Sequence, residues 1–145
     1  MILRALLPHE SKEEEIFQSD ESQQLLEIYD EYYPKMGYDF PWVAYLIIKD
    51  QQVLGTGSFT GKPVNGQVEI AYWTFKAFEG QGIASFACKE LISIAKKENP
   101  NIVISAKTAP ENNASTHILE KNGFRHIKTV QDEEIGDAWL WIWSI

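Results

Sequence analysis

The chain has 145 residues, 44% hydrophobic and 12% aromatic, enough for one domain with its own core (expected over 1–145) and too short for a cofactor domain plus a substrate domain. No apolar run reaches the ~18 residues of a membrane helix, and "MILRALLPHE" has too short an apolar stretch for a signal peptide, so a cytoplasmic protein without membrane contact is expected. The net charge is −8, with ten acids against three bases in residues 1–40 and eleven against ten in the rest, a field that repels nucleic acid and favours an amine as partner.

"ILRALL" before Pro8 reads as a first strand. Ser11 with Glu14 and Asp20 with Gln23 have the spacing of capping boxes, so one or two helices are expected next. Leu25, Leu26, Tyr29, Tyr32 and Tyr33 recur at helical spacing up to about Tyr33, where Pro34 and Gly37 end the pattern. "PWVAYLIIKD", "QVLGTGSFTG" and "QVEIAYWTF" are β-rich, and the Asn65-Gly66 pair marks a hairpin between the last two. Three strands of an antiparallel meander result.

Next comes "FEGQGIASFACKEL", two glycines one residue apart between a strand and a helix. Glycines permit close backbone approach, and a helix start presents unpaired N–H groups and a positive dipole end, so the turn suits an anion. The donors are expected at Gln81, Gly82, Ile83, Ala84 and Ser85. "GQGIAS" lacks the ending of a Walker A loop, and Ser85 stands where a dinucleotide fingerprint needs its third glycine. Ile83, Ala87, Leu91, Ile94 and Ala95 carry the helix to "ENPN", and "IVISAK" follows as a strand parallel to the one before the glycines. "APENNAS" leads to a helix from Ser115 to about Asn122, closed by Gly123. "FRHIKTV" and "AWLWIWSI" are the last strands, joined by an acidic turn, and the second is apolar on both faces. One cysteine, Cys88, reads as a packing residue, and the three histidines lack metal-ligand spacing, so no metal is expected.

From Trp42 to His126 the chain resembles the GNAT superfamily of N-acetyltransferases, within it the branch that acetylates N-termini of ribosomal proteins. Three blocks carry the resemblance in order: "VEIAYWTF", "EGQGIAS" and "NNASTHILEKNGF". It implies a mixed α/β fold with a mostly antiparallel central sheet, a parallel β4/β5 pair and flanking helices. It also implies acetyl-coenzyme A as co-substrate, its pyrophosphate on the glycine-loop amides and its pantetheine between the splayed fourth and fifth strands. A backbone N–H at Thr74 or Phe75 would polarise the thioester, and Asn112 matches the motif asparagine that contacts the cofactor or holds its loop. Asn112 or Asn113 would equally serve as a helix N-cap, and Ser115 has the same two readings.

An alkylammonium of pKa near 10.4 must lose a proton before it attacks, which costs roughly 4.6 kcal/mol at pH 7, so a carboxylate is useful. Glu69, on one strand face with Ala71 and Trp73, is the candidate base. Two positions depart from the family pattern: Glu79 replaces its Arg or Gln, and Leu119 stands where many relatives carry a tyrosine acid. One exposed charge ~6 Å from a diphosphate costs about 0.7 kcal/mol, against roughly 1.5–3 kcal/mol for each amide bond to a charged group. The expected activity is acetyl transfer to a primary amine, either a peptide N-terminus or a small cation, by a monomer or a homodimer. The alternatives are an acyl-coenzyme A binding module without turnover and a protein-interaction domain with no nucleotide ligand.

Overall fold

The computed structural model describes residues 1–144. In chain order the elements are β1 (Ile2–Ala5), a 3-10 turn (Glu15–Phe17), α1 (Asp20–Met36), β2 (Ala44–Lys49), β3 (Gln52–Phe59), β4 (Gln67–Thr74), a second 3-10 turn (Lys76–Phe78), α2 (Ile83–Glu98), β5 (Val103–Thr108), α3 (Ala114–Lys121), β6 (Phe124–Asp132) and β7 (Gly136–Trp143). The strands form one seven-stranded sheet in the order β1-β2-β3-β4-β5-β7-β6. Every pairing is antiparallel except β4 with β5, the mixed architecture expected from the strand, helix, strand unit. Ile145, the last residue of the expected final strand, lies outside the described residues.

Local chemistry explains most boundaries. Asn65 and Gly66, at φ 52° and 76°, turn the chain between β3 and β4. α3 begins at a reciprocal capping box, in which the Asn113 side chain accepts from the Thr116 N–H and Thr116 Oγ1 accepts from the Asn113 N–H. Gly123, at φ 96°, follows its C-cap. Two expectations near the N-terminus are corrected. The α1 cap is Ser19, whose hydroxyl accepts from the Ser22 N–H, rather than Asp20, and Gln23 instead reaches back to the carbonyls of Lys12 and Phe17. Ser11 and Glu14 close a backbone turn with no side-chain cap. Pro34 sits inside the last turn of α1 without ending it; Gly37 does so, its N–H bonding the Tyr33 carbonyl.

The sheet divides the core. On one face, Val68, Ile70, Ile104 and Trp141 pack with Cys88 and Leu91 of α2 and Leu119 of α3. On the other, Ala44, Leu46, Val53 and Phe75 pack with Leu25, Leu26 and Tyr33 of α1. β7 lies between β5 and β6, and its Trp141, flanked by Trp139 and Trp143, belongs to the core on the α2 face. Trp141 is buried and donates from Nε1 to Thr108 Oγ1, and the Trp143 ring lies under the Lys96 ammonium, 4.8 Å from its centroid.

Cys88 is fully buried, and burial pushes its thiol from an ordinary 9.0 up to about 12, with Lys89 opposing weakly. The native state therefore keeps a proton that the unfolded chain gives up sooner. The stability this represents is complete below pH 9 and drains away as the pH rises towards 12. Tyr45, raised by burial to about 12, declines in the same alkaline direction. Native protein at pH 8 is expected to resist aqueous disulfide reagents at Cys88 and to react fully in denaturant; rapid labelling without denaturant would contradict this burial.

Candidate active site

The register of β4 creates an opening in the sheet. Gln67–Ile70 pair with Val103–Ala106 of β5, and there the ladder stops. Beyond it, Ala71–Thr74 stay paired with β3 while Ser105–Thr108 follow β7, so the two strands diverge. The Phe75 N–H donates to the Leu54 carbonyl at 2.9 Å. By antiparallel alternation, Trp73 and Ala71 also bond β3, whereas Tyr72 and Thr74 turn their amides away from β3 into the wedge. This corrects Phe75 as a candidate donor: its N–H is spent, and its ring is buried against Trp73 in the α1 core. Thr74 also presents a buried Oγ1 with no hydrogen-bond partner.

At the end of this wedge lies the glycine loop. Gly80 and Gly82 both take φ +78°, a left-handed conformation that admits glycine readily, and space is open where a Cβ would project. Gly82 caps α2 with no side-chain bond, and the first helical bond runs from the Phe86 N–H to the Gly82 carbonyl. Among the described residues nothing accepts from the N–H groups of Gln81, Gly82, Ile83, Ala84 or Ser85. A cavity of about 520 Å³ stands over these donors, lined by Gly82, Ile83, Ala84 and Ser85 from the loop and Tyr72, Thr74 and Phe78 from β4 and the turn after it. Gln81 is not part of this lining, so the loop donors that border the cavity run from Gly82 to Ser85. Unspent donors, a helix dipole and an orphaned hydroxyl suit a phosphorylated, extended ligand.

α3 supplies the opposite wall with Ser115, His117, Ile118 and Lys121. The Tyr72 hydroxyl donates to the Ser115 carbonyl at 3.0 Å and lies 3.3 Å from Ser115 Oγ. Burial pushes this phenol up to about 12, with the Ser115 hydroxyl opposing, so it remains neutral at physiological pH. Asn122 Nδ2 donates to Ser85 Oγ at 3.2 Å and ties the end of α3 to the start of α2. Glu79 from the glycine loop and Lys121 from α3 both line this cavity without forming an ion pair with each other. Asn112 is exposed beside Asn113, which is the cap, in a neighbouring cleft that shares His117 with this cavity. Leu119 is fully buried, so that position offers no acid. Tyr72, His117, Asn122 and Lys121 are among the residues that sequence reasoning missed; His117 and Lys121, one turn apart on the face of α3 that also bears Ile118, had a signal in that spacing.

Glu69 faces the other way. Val68 and Ile70 are buried towards α2, which turns Glu69 to the α1 side of the sheet. There it borders a second cavity, of about 640 Å³, with Ser105 of β5, the last turn of α1 and the β3–β4 turn. Lys107 Nζ lies 3.4 Å from the Glu69 carboxylate and 3.5 Å from that of Asp132. Partial burial works against the Lys107 charge, but the two carboxylates outweigh it and raise its pKa. Asp132 is held below the usual carboxylate range by hydrogen bonds from the backbone N–H groups of Glu134 first and Ile135 second, despite some desolvation. The Tyr32 hydroxyl bonds Glu134 at 3.1 Å and so fastens α1 to the β6–β7 turn on this face. Glu69 and the glycine loop therefore lie on opposite sides of the sheet, with the β4/β5 wedge between them.

Residues 6–125 match the acetyltransferase (GNAT) domain family. The chain belongs to the GNAT acetyltransferases. Two curated relatives share sequence with this GNAT domain. YdaF of Bacillus subtilis strain 168, a candidate ribosomal N-acetyltransferase, is 39% identical over 61 residues, 42% of this chain and 33% of the relative. The ribosomal-protein-serine acetyltransferase of Escherichia coli K12 is 31% identical over 81 residues, 55% of this chain and 45% of the relative. This GNAT domain thus spans less than half the length of the curated relatives it matches. Among solved structures, the ribosomal L7/L12 α-N-protein acetyltransferase RimL in complex with coenzyme A superposes with a TM-score of 0.63 at 22% identity, covering 85% of this chain and 71% of that one. At that identity the likeness is one of fold. Among the described residues no cluster of His, Cys, Asp or Glu is placed to hold a metal, and no helix is long and apolar enough to cross a membrane.

Proposed function

We propose that residues 1–145 act as a single acetyltransferase domain that moves an acetyl group from acetyl-coenzyme A to a primary amine. The carrying observation is the row of unspent amides from Gly82 to Ser85, residues that line the same cavity as Thr74 with its unpartnered hydroxyl. The loop amides would hold the pyrophosphate, and the wedge edge of β4, with the amides of Tyr72 and Thr74, would take an extended thiol arm. Relatives named as acetyltransferases of ribosomal proteins support a peptide N-terminus as acceptor.

Glu69, across the wedge, is the base in this reading. It removes one proton from the incoming ammonium, the freed lone pair forms the N–C bond to the acetyl carbon, and as the C–S bond breaks the departing thiolate takes up the second proton that the nitrogen sheds. A Thr74 amide aimed into the wedge would stabilise the negative charge that builds on the thioester oxygen. A thiol of pKa near 8.5 leaves without a dedicated acid, which fits the buried Leu119. The exclusion of nucleic acid belongs to the same proposal and rests on the ten acids against three bases in residues 1–40. A cytoplasmic setting is proposed with it; no described helix is long and apolar enough to cross a membrane. Release of free thiol from acetyl-coenzyme A is expected with at least one amine in a panel of N-terminal peptides, amino acids and polyamines. Tight coenzyme A binding with no thiol release from any amine would instead identify a binding module without turnover.

A further inference from the structure

The cavity beside Glu69 has a charge pattern that the chain as a whole does not. Its walls are the last turn of α1 and the β3–β4 turn, and they bring Lys35 and Lys62 to the same space as Glu69. Neither lysine is in an ion pair among the described residues, whereas Glu69 already shares Lys107. Glu69 is the one carboxylate of the lining, so two ammonium groups against one carboxylate leave it positive. Asn65 and Gln67 add amide groups on the same turn.

The overall charge of −8 points to a cationic acceptor only at long range. Fields from N-terminal acids beyond a Debye length, about 8 Å at physiological salt, fade; Glu31, one turn before Lys35 on α1, is nearer but does not line the cavity. Within the cavity, the nearest unpaired charges decide. We propose, resting on the acetyl-transfer reading, that the acceptor is an amine carrying its own anionic group close to the reacting nitrogen. The nitrogen lies at Glu69 and the anion at Lys35 and Lys62. A carboxylate supplied by an acidic residue near a peptide N-terminus, or by a free amino acid, has this chemistry; a polyamine does not.

The test uses the full chain and acetyl-coenzyme A with two peptides that share their first residue and differ only in acidic against basic residues at the second and third positions. A free amino acid compared with its amide distinguishes the two sources of the carboxylate. The acidic peptide is expected to have a kcat/KM about tenfold above the basic one, the scale of two partly exposed ion pairs, with the difference mainly in KM. The paired change Lys35→Glu and Lys62→Glu, checked for folding by circular dichroism, is expected to invert that order. Equal turnover of both peptides, or an order unchanged in the charge-reversed protein, overturns this inference and leaves acetyl transfer standing. Absence of turnover with every acceptor overturns both.

Discussion

Gly82→Val is expected to weaken coenzyme A binding by about 10²- to 10⁴-fold. Gly82 takes φ +78° immediately before α2, where a β-branched residue is a genuine outlier. The left-handed conformation costs an L-residue roughly 1–2 kcal/mol, so the turn rotates to relieve it and the N–H groups of Gly82 and Ile83 swing out of line. Two charge-assisted bonds at roughly 1.5–3 kcal/mol each are then lost. The new side chain would also enter the cavity, since nothing lies within 4 Å of the position a Cβ would occupy. A strain-matched control exists: Gly66, at φ +76° in the β3–β4 hairpin, is equally open around its Cβ. Gly66→Val should lower thermal stability by a comparable amount and leave coenzyme A affinity close to that of the parent. Calorimetry on both variants separates backbone strain from ligand contact, and equal affinities in the two would remove the anion cradle from the account.

Much of this site was legible because its parts are local. Two glycines ahead of a helical pattern fix a left-handed turn and a row of free donors whatever the rest of the chain does, and Asn65-Gly66 fixes a hairpin for the same reason. What was not legible depends on register across distant segments. The spent N–H of Phe75 follows from which β4 residues face β3, and nothing in "YWTF" distinguishes Thr74 from Phe75 in that respect. Tyr72 meets Ser115 only because α3 packs beside β4, 43 positions away in sequence. Asn112 and Asn113 are chemically identical, and the cap is chosen by the Thr116 hydroxyl three residues after Asn113. Pro34 leaves the Asp30 carbonyl without its helical N–H, yet α1 runs on through Lys35 and Met36 and stops only at Gly37. The acceptor side was hardest to read. Lys35 and Lys62 come from different elements and become neighbours of Glu69 only after β3, β4 and α1 have packed.

Glu69→Gln is expected to lower kcat by about 10²- to 10⁴-fold at pH 7, the usual contribution of a positioned base, with little change in stability. The carboxylate is part-exposed at 29% and its partner Lys107 at 32%, and such pairs contribute at most about 1 kcal/mol. A purely structural Glu69 would give the opposite pattern, a lowered melting temperature with kcat preserved. The pH profile adds a readout that packing alone would not move. Without the base, the enzyme must wait for amine already neutral in solution, so the deficit should shrink about tenfold per pH unit until the acceptor's own pKa is reached. That limit is about 8 for a peptide N-terminus and 10.4 for an alkylamine. The deficit at pH 7 should consequently be smaller for an α-amine, which loses its proton at little cost, than for an alkylamine, where the same step costs roughly 4.6 kcal/mol. If Glu69→Gln retains parental kcat across pH 6 to 9 with both acceptors, proton removal belongs to another group on the α1 face. Asp132, which shares Lys107 with Glu69, would be the next to substitute.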